Sequence, residues 1–561
     1  MRGAVPWLLV GAVLVYGGVE IASGSGYALR VLSVAGIYAV AALGYQLIFG
    51  HAGALALSQG TFMGLGAYAS GIAALRWGLP FDLALPFSVG LPVLLAALVA
   101  IPVLRLQTHY FALATLLIGQ IVQLVATDWV SVTGGANGLG GVPGLALFGI
   151  PVRGGWQTLA LVGCCVALGA AGIWLMMRGR LGAASALMRV QPIAARAVGI
   201  DTARLRFGAF LLSAGYAGLA GSLYVHVIRV VSPEVLSFPV TVTILTIAVI
   251  GSRRSIAGAI VGAVLVIELP EWVRFLRDDY LLAYGAILLA AIVLLPEGVA
   301  ATAERLFRAA VPAAPRPSES ALAFAGASLA VRGVGRSFGG VVALAEVSLA
   351  VAPGEVLGLI GPNGSGKTTL LNAITGIFPP QTGTVALDGH DITGLLPHRI
   401  ARAGIARTFQ TPALVDGLSA LDNVAVAAPG GWRDARAQAA ALLAQLGATA
   451  AAMRPCGELA YGTRRMVEIA RALAARPRVL LLDEPAAGLN ATEQAELRSR
   501  LRALADAGLA TVVIEHNMPF LVPLADRMAC LDGGRRIAEG RPASVQADPL
   551  VIEAYLGEAT G

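Results

Sequence analysis

The stretch GPNGSGKTT, Gly361 to Thr369, fits the pattern G-x-x-x-x-G-K-[ST], with Gly361, Gly366, Lys367 and Thr368 at its fixed positions. The run before it, Val356 to Ile360, has strand composition, and Thr369 to Thr375 reads as the start of a helix. A glycine-rich loop between strand and helix frees backbone N–H groups to face anionic oxygens, and the positive end of the helix dipole adds to them. The stretch therefore reads as a phosphate cradle built from Gly361, Pro362, Asn363, Gly364, Ser365, Gly366, Lys367, Thr368 and Thr369. Lys367 is the single lysine of the chain, so the other 39 of its 40 basic residues are arginine. A compact ammonium on a flexible stem can reach between β- and γ-phosphate oxygens as a point charge, which a planar guanidinium does less well.

Around this loop the composition is uneven. The 561 residues are 57% hydrophobic and 13% charged, too apolar for one soluble domain and long enough for several. Residues 1–310 carry 18 arginines and 11 acidic residues, whereas residues 311–561 carry 22 of each sign. The whole excess of +7 thus flanks the apolar runs of the first half, where positive-inside topology accounts for it better than nucleic acid does. Cys164, Cys165, Cys456 and Cys530 have neither paired nor metal-ligand spacing.

Ten apolar runs lie before residue 296: Trp7 to Val19, Leu29 to Phe49, Leu55 to Leu75, Leu83 to Leu104, Tyr110 to Thr127, Trp156 to Met177, Phe207 to Val227, Pro239 to Ile250, Ile256 to Leu269 and Tyr280 to Leu295. Several are near or below the ~20 residues a span needs and many contain glycine, so eight to ten spans with broken segments are expected. Residues 1–26 could pass for a signal peptide but read better as a first membrane helix. The richest basic loop, Arg178 to Arg206, has six arginines against Asp201 and should be cytoplasmic; ten spans then put both Arg2 and the second half inside. That loop reads as short helices outside the membrane, docking on the second half, with a purely topogenic role as the alternative. Asp128 to Gly155, rich in glycine, either lines an outer mouth or is a flexible turn. Few ionisable residues lie within the runs, so no charged solute site stands out. Pro312 to Gly326 has linker composition, which gives a membrane domain at 1–310, a linker at 311–328 and a nucleotide-binding domain at 329–561.

In this last part strands alternate with helices, and Val479 to Leu482 ends in Asp483 and Glu484. An α/β sheet places its ligand site at the carboxyl ends of such strands. Asp483 and Thr368 are candidate Mg²⁺ ligands, and Glu484 is a candidate to orient or deprotonate an attacking water, with a structural ion pair as its alternative.

These motifs, with LAYGTRRMVEIARAL (Leu459 to Leu473), resemble the ATP-binding cassette (ABC) proteins. The resemblance implies a polytopic all-α membrane domain of 8–10 helices followed by an α/β P-loop ABC ATPase that uses ATP and Mg²⁺. It also implies that Gln410, in ARTFQ, senses Mg²⁺ and contacts the membrane partner, that His516, in VIEHN, reaches the γ-phosphate, and that Phe338, in RSFGG, stacks on adenine. By the same resemblance Ala460, Tyr461 and Gly462 are expected to form the nucleotide-contacting signature, with Ala460 where many relatives have serine and Thr463 in place of the usual glutamine.

LAYG, DEPAAGLN, IEHNM and VIEAYLGEA resemble the ATPase subunit of branched-chain amino acid importers. LGYQLIFGHAGALALSQGTFMGLGAYA, YFALATLLIGQIVQLV, TGGANGLGGVPG, IAARAVGI and LSAGYAGLAGSLY resemble the permease of the same systems, although Gly251 to Ser255 carries two arginines where an uncharged turn is usual. The resemblance therefore implies a multi-pass protein of a bacterial inner (plasma) membrane, with N-terminus and ATPase cytoplasmic. Its expected partners are a second permease and a second ABC ATPase, or a second copy of the chain, together with an extracytoplasmic solute-binding protein and membrane lipid, but no nucleic acid. The rival readings are an exporter or flippase, a membrane-tethered regulatory ATPase, and an importer of urea, amides or small aromatic acids.

Overall fold

The computed structural model describes residues 5–104, 108–306 and 324–556. Arg2, positions 311–323 of the expected linker and the last residues of VIEAYLGEA lie outside the described residues. The chain forms two units, Met1–Arg178 with Ala203–Ala310, and Gly179–Thr202 with Val311–Gly561.

In the first unit each of the ten apolar runs is helical: Val5–Ser23, Gly26–Tyr45, Gln59–Trp77, Phe81–Val103, Thr108–Asp128, Gly155–Met177, Thr202–Ile228, Phe238–Gly251, Ile256–Trp272 and Tyr280–Leu294. Among the described residues, seven helical segments have the length and apolarity to cross a membrane, fewer than the eight to ten expected. Phe238–Gly251, at 14 residues, is shorter than a span needs, and Val5–Ser23, at 19, is near the lower limit. Gln59–Trp77 is diluted by Gln59, Thr61, Ser70 and Arg76, of which Gln59, Thr61 and Ser70 are buried among other helices and Arg76 is exposed.

Glycines let these helices approach closely. A Cβ on Gly221 would stand 1.9 Å from the Met63 carbonyl oxygen, which only a residue without a side chain allows. The second helix does not run straight to Phe49: it passes into a π-turn at Gln46–His51, a pattern that often marks a functional position. Buried Gln46 there donates from Nε2 to the carbonyls of Ser252 (2.8 Å) and Ser255 (2.9 Å), so it satisfies the backbone where two other helices break.

The second unit is built on two sheets. Six strands run in the order Ile405–Arg407, Val479–Asp483, Ala510–Ile514, Val356–Ile360, Arg527–Asp532 and Arg535–Gly540, all parallel except the last. The central three are buried along their full length, as their predominance of Val, Leu and Ile suits. The second sheet is antiparallel, ordered Val341–Val351, Leu329–Phe338, Thr382–Leu387 and His390–Asp391. One apolar cluster draws on both sheets, including Val331, Leu349, Leu357 and Leu481, so truncating any of these to alanine costs about 1–5 kcal/mol.

Helices Ala420–Ala425, Trp432–Gln445 and Tyr461–Ala474 pack together beside the parallel sheet. The basic loop of the sequence belongs to this unit: its helices Arg180–Val190 and Pro192–Ala197 pack on Ala420–Ala425 and Pro397–Ala403. Arg402 donates from Nε to the Gly199 carbonyl at 3.0 Å, and His398 Nε2 lies 3.5 Å from Asp201 Oδ2.

Candidate functional site

Strand order brings the chemistry together. Val356–Ile360 leads into the glycine-rich loop, its neighbour Ala510–Ile514 into Glu515 and His516, and the next strand, Val479–Asp483, into Glu484. Three parallel strands thus deliver their carboxyl ends to one edge of the sheet, where a doubly wound fold holds its ligand.

The loop from Gly361 to Gly366 has the backbone a phosphate cradle needs. Gly361 (φ +145°) and Gly366 (φ +100°) lie where side chains are strained. A Cβ at Gly361 would sit 2.0 Å from the Leu531 carbonyl oxygen. The following helix starts at Lys367, two residues before the start read from sequence, because Gly366 supplies its left-handed N-cap. Lys367 is buried and donates from Nζ to the carbonyls of Gly361 and Pro362, both at 2.7 Å, and to Ser365 Oγ at 3.3 Å. These partners are loop oxygens, which a phosphate could replace without unfolding anything. Asn363, Gly364 and Thr368 are exposed, so this side of the loop is open to solvent. Gly361 in turn donates its N–H to the Tyr555 hydroxyl at 2.9 Å, which ties the closing helix Pro549–Leu556 to the loop.

Gln410, Glu484 and His516 converge on one carboxylate. Gln410 Nε2 donates to Glu484 Oε2 at 2.9 Å, and His516 Nε2 lies 3.3 Å from Oε1. Glu484 has φ +47°, a strained backbone for a residue with a side chain. The neighbouring Asp483 is buried and accepts from Arg407 Nη2 at 3.0 Å. Arg407 also donates to Asn372 on the helix after the glycine-rich loop, so it links that helix to Asp483. Burial lowers the Arg407 pKa and Asp483 pulls it back up. The three candidate Mg²⁺ ligands read from the sequence, Asp483, Thr368 and Gln410, each offer a side-chain oxygen, which suits a hard cation such as Mg²⁺. Phe338 ends its strand 39% exposed, with Phe378 edge-on at 5.4 Å and the Arg336 guanidinium 4.9 Å above it, so its ring is held yet open to stacking.

Ala460 is the N-cap of helix Tyr461–Ala474, Tyr461 packs its ring near Gly488, and Gly462 faces Glu493. Three residues inside the quoted motifs escaped the reading of the sequence: Arg407 in ARTFQ, Tyr555 in VIEAYLGEA, and Arg465 in the signature segment. Their signal was present only as a basic or aromatic residue type, with nothing local to mark its partner.

In the first unit few ionisable residues lie within the apolar runs, and one of them is buried. Glu268 lies inside the run Ile256 to Leu269, is 3% exposed and accepts from the Tyr16 hydroxyl at 3.4 Å. A separate polar cavity of about 400 Å³ is lined by Arg30, Arg153, Arg229 and His226.

Comparison with known proteins accounts for both units. Residues 27–295 match the family described as "Branched-chain amino acid transport system / permease component", and 344–487 match "ABC transporter". Residues 535–560 match "Branched-chain amino acid ATP-binding cassette transporter". The high-affinity branched-chain amino acid transport ATP-binding protein BraF of Pseudomonas aeruginosa is 39% identical over an alignment of 250 residues that covers 41% of this chain and 98% of BraF. The corresponding protein LivG of Escherichia coli is 38% identical over 250 residues, again 41% of this chain and 98% of its own length. The first half matches a permease component and the second spans almost the whole of these ATPases: the chain belongs to the branched-chain amino acid transport family of ABC transporters, with permease and ATPase in one polypeptide.

Proposed function

We propose that the chain is an ATP-driven importer of branched-chain or related amino acids. The observation that carries this is the convergence of Gln410 and His516 on Glu484, beside the cradle that ends in Lys367, in a chain whose other half is a permease. Residues 1–310 form the permease, 311–328 the linker and 329–561 the ATPase, in a bacterial inner membrane with the ATPase and the N-terminus on the cytoplasmic side.

Gly361 to Thr369 hold the phosphates, and Phe338 stacks on adenine. Lys367 turns from the loop carbonyls to the β- and γ-phosphate oxygens. Glu484 orients and deprotonates the attacking water, Gln410 keeps that carboxylate aimed, and His516 lies against the γ-phosphate. Thr368, Asp483 and Gln410 would hold Mg²⁺, which when bound supplies charge neutralisation at the phosphate oxygens. Asp483 must then share its carboxylate between the cation and Arg407.

Ala460, Tyr461 and Gly462 complete the nucleotide site of a second cassette, so hydrolysis requires either a second copy of this chain or a distinct permease and ATPase pair. Solute arrives on an extracytoplasmic binding protein. The segment Gly179–Thr202 packs on the ATPase and continues at both ends into helices of the first unit, Gly155–Met177 and Thr202–Ile228, which suits it to carry closure from one to the other.

The test is the ATPase rate of the lipid-reconstituted complex with candidate binding proteins, empty or loaded with leucine, isoleucine, valine, urea or aromatic acids. Stimulation by a protein loaded with an aliphatic amino acid is expected. Indifference to every binding protein, with a response to lipid or hydrophobic compounds, would replace this reading with an exporter.

A further inference from the structure

Arg465 lies on the signature helix and is fully buried, at 0% exposure, among the largest side chains of the chain so enclosed. One arm of its guanidinium, Nη1, donates to the Phe409 carbonyl at 2.6 Å and to Glu468 Oε2 at 2.9 Å. The other, Nη2, donates to the carbonyls of Gln410 and Glu484, both at 2.8 Å. Glu468 Oε1 accepts the N–H groups of Phe409 (3.3 Å) and Ala413 (3.1 Å), and Arg471 Nη1 donates to the Ala413 carbonyl at 2.6 Å. The backbone from Phe409 to Ala413 is therefore gripped by three charged residues of one helix, each sequestered from water.

Such burial is costly unless every charge is paired and hydrogen-bonded, and here almost every donor finds an acceptor. The target of the clamp is informative. Glu484 keeps a left-handed backbone with its N–H bound to the Ile514 carbonyl at 2.9 Å and its carbonyl bound to Arg465, so each end of a strained residue is fixed.

We propose that Arg465 is a positioning residue for ATP hydrolysis, a role that rests on the reading of Gln410 and Glu484 given above. Its guanidinium holds the main chain of both residues against the signature helix, so the helix that serves a second cassette's nucleotide also sets the aim of the carboxylate acting on this chain's own. Only a planar fork reaches these carbonyls and Glu468 together, which is why lysine does not substitute.

The experiment uses the full chain, with its partner subunits, in lipid. It measures the kcat and KM of ATP hydrolysis, the affinity for a fluorescent ATP analogue, and thermal unfolding. Arg465→Lys keeps a charge opposite Glu468; the double variant Arg465→Gln/Glu468→Gln removes both charges and serves if the first does not assemble. Each is expected to bind nucleotide within about twofold of the parent while losing roughly tenfold to a hundredfold in kcat, the scale set by a carboxylate displaced by about 1 Å. A folded variant with parental kcat, or one in which affinity falls as far as kcat, overturns the role. Glu484→Gln is run beside them. If it turns over at the parental rate, the reading of Glu484 fails and the positioning role fails with it; if it is inactive while Arg465→Lys is fully active, the positioning role alone fails.

Discussion

Gln410 Nε2 stands 2.9 Å from Glu484 Oε2, a bond across 74 positions of sequence that joins the loop after one edge strand to the end of the next. An amide that donates to a carboxylate fixes its direction without taking its charge, which suits a base that must stay ionised and aimed. Glu484→Gln keeps the shape and removes the charge. The expected outcome is steady-state hydrolysis lower by roughly 10²–10⁴-fold with ATP still bound. Retained turnover in a phosphate-release assay would refute the assignment.

Lys367→Ala acts earlier. It removes charge-assisted hydrogen bonds that contribute about 1.5–3 kcal/mol each, so nucleotide affinity should fall by at least tenfold. Equilibrium binding of a fluorescent ATP analogue to the full chain reads this directly, and unchanged affinity would contradict the cradle.

Arg402→Ala removes the bond from Nε to the Gly199 carbonyl and touches none of the residues assigned to ATP. Solute uptake in reconstituted vesicles should drop several-fold, while hydrolysis by the same preparation stays within about twofold, because a single solvent-exposed bond contributes only about 1 kcal/mol. Uptake and hydrolysis falling in proportion would argue against a coupling role for the segment.

Glu515 supplies a pH dependence. Burial pushes its carboxyl above the usual value of 4.5, opposed by the N–H groups of Ala486, Asn517 and His516 and reinforced by Glu484. A raised folded value means that the folded state holds the proton more tightly. The stabilisation is then complete below about pH 4.5 and is lost as pH rises through the raised value. Glu515→Gln should flatten that slope in melting temperatures of the detergent-solubilised chain. Parallel curves for the two proteins across this range would refute it.

Much of this architecture is legible in short stretches. Val356 to Ile360 and Val479 to Leu482 announce buried strands by unbroken apolar runs, and the loops after them carry residues whose types suffice to state their chemistry. What escapes is contact made by long side chains across the fold. Arg465 is one of three arginines in its helix, and nothing local says that its fork closes on Phe409, Gln410 and Glu484. The left-handed backbone of Glu484 is equally silent, because tertiary bonds impose it against the residue's own preference. The π-turn at Gln46–His51 arises the same way, in a run whose composition reads as plain helix.

The solitary lysine has a practical consequence. A chain with one ε-amine, 7% exposed and bound to the carbonyls of its own loop, presents almost no lysine surface to amine-reactive reagents. Acylating labels and lysine crosslinkers would leave its exterior blank. Any adduct that does form on a side-chain amine reports on the opening of the nucleotide cradle, so chemical modification becomes a site-specific clock for that loop without a single mutation.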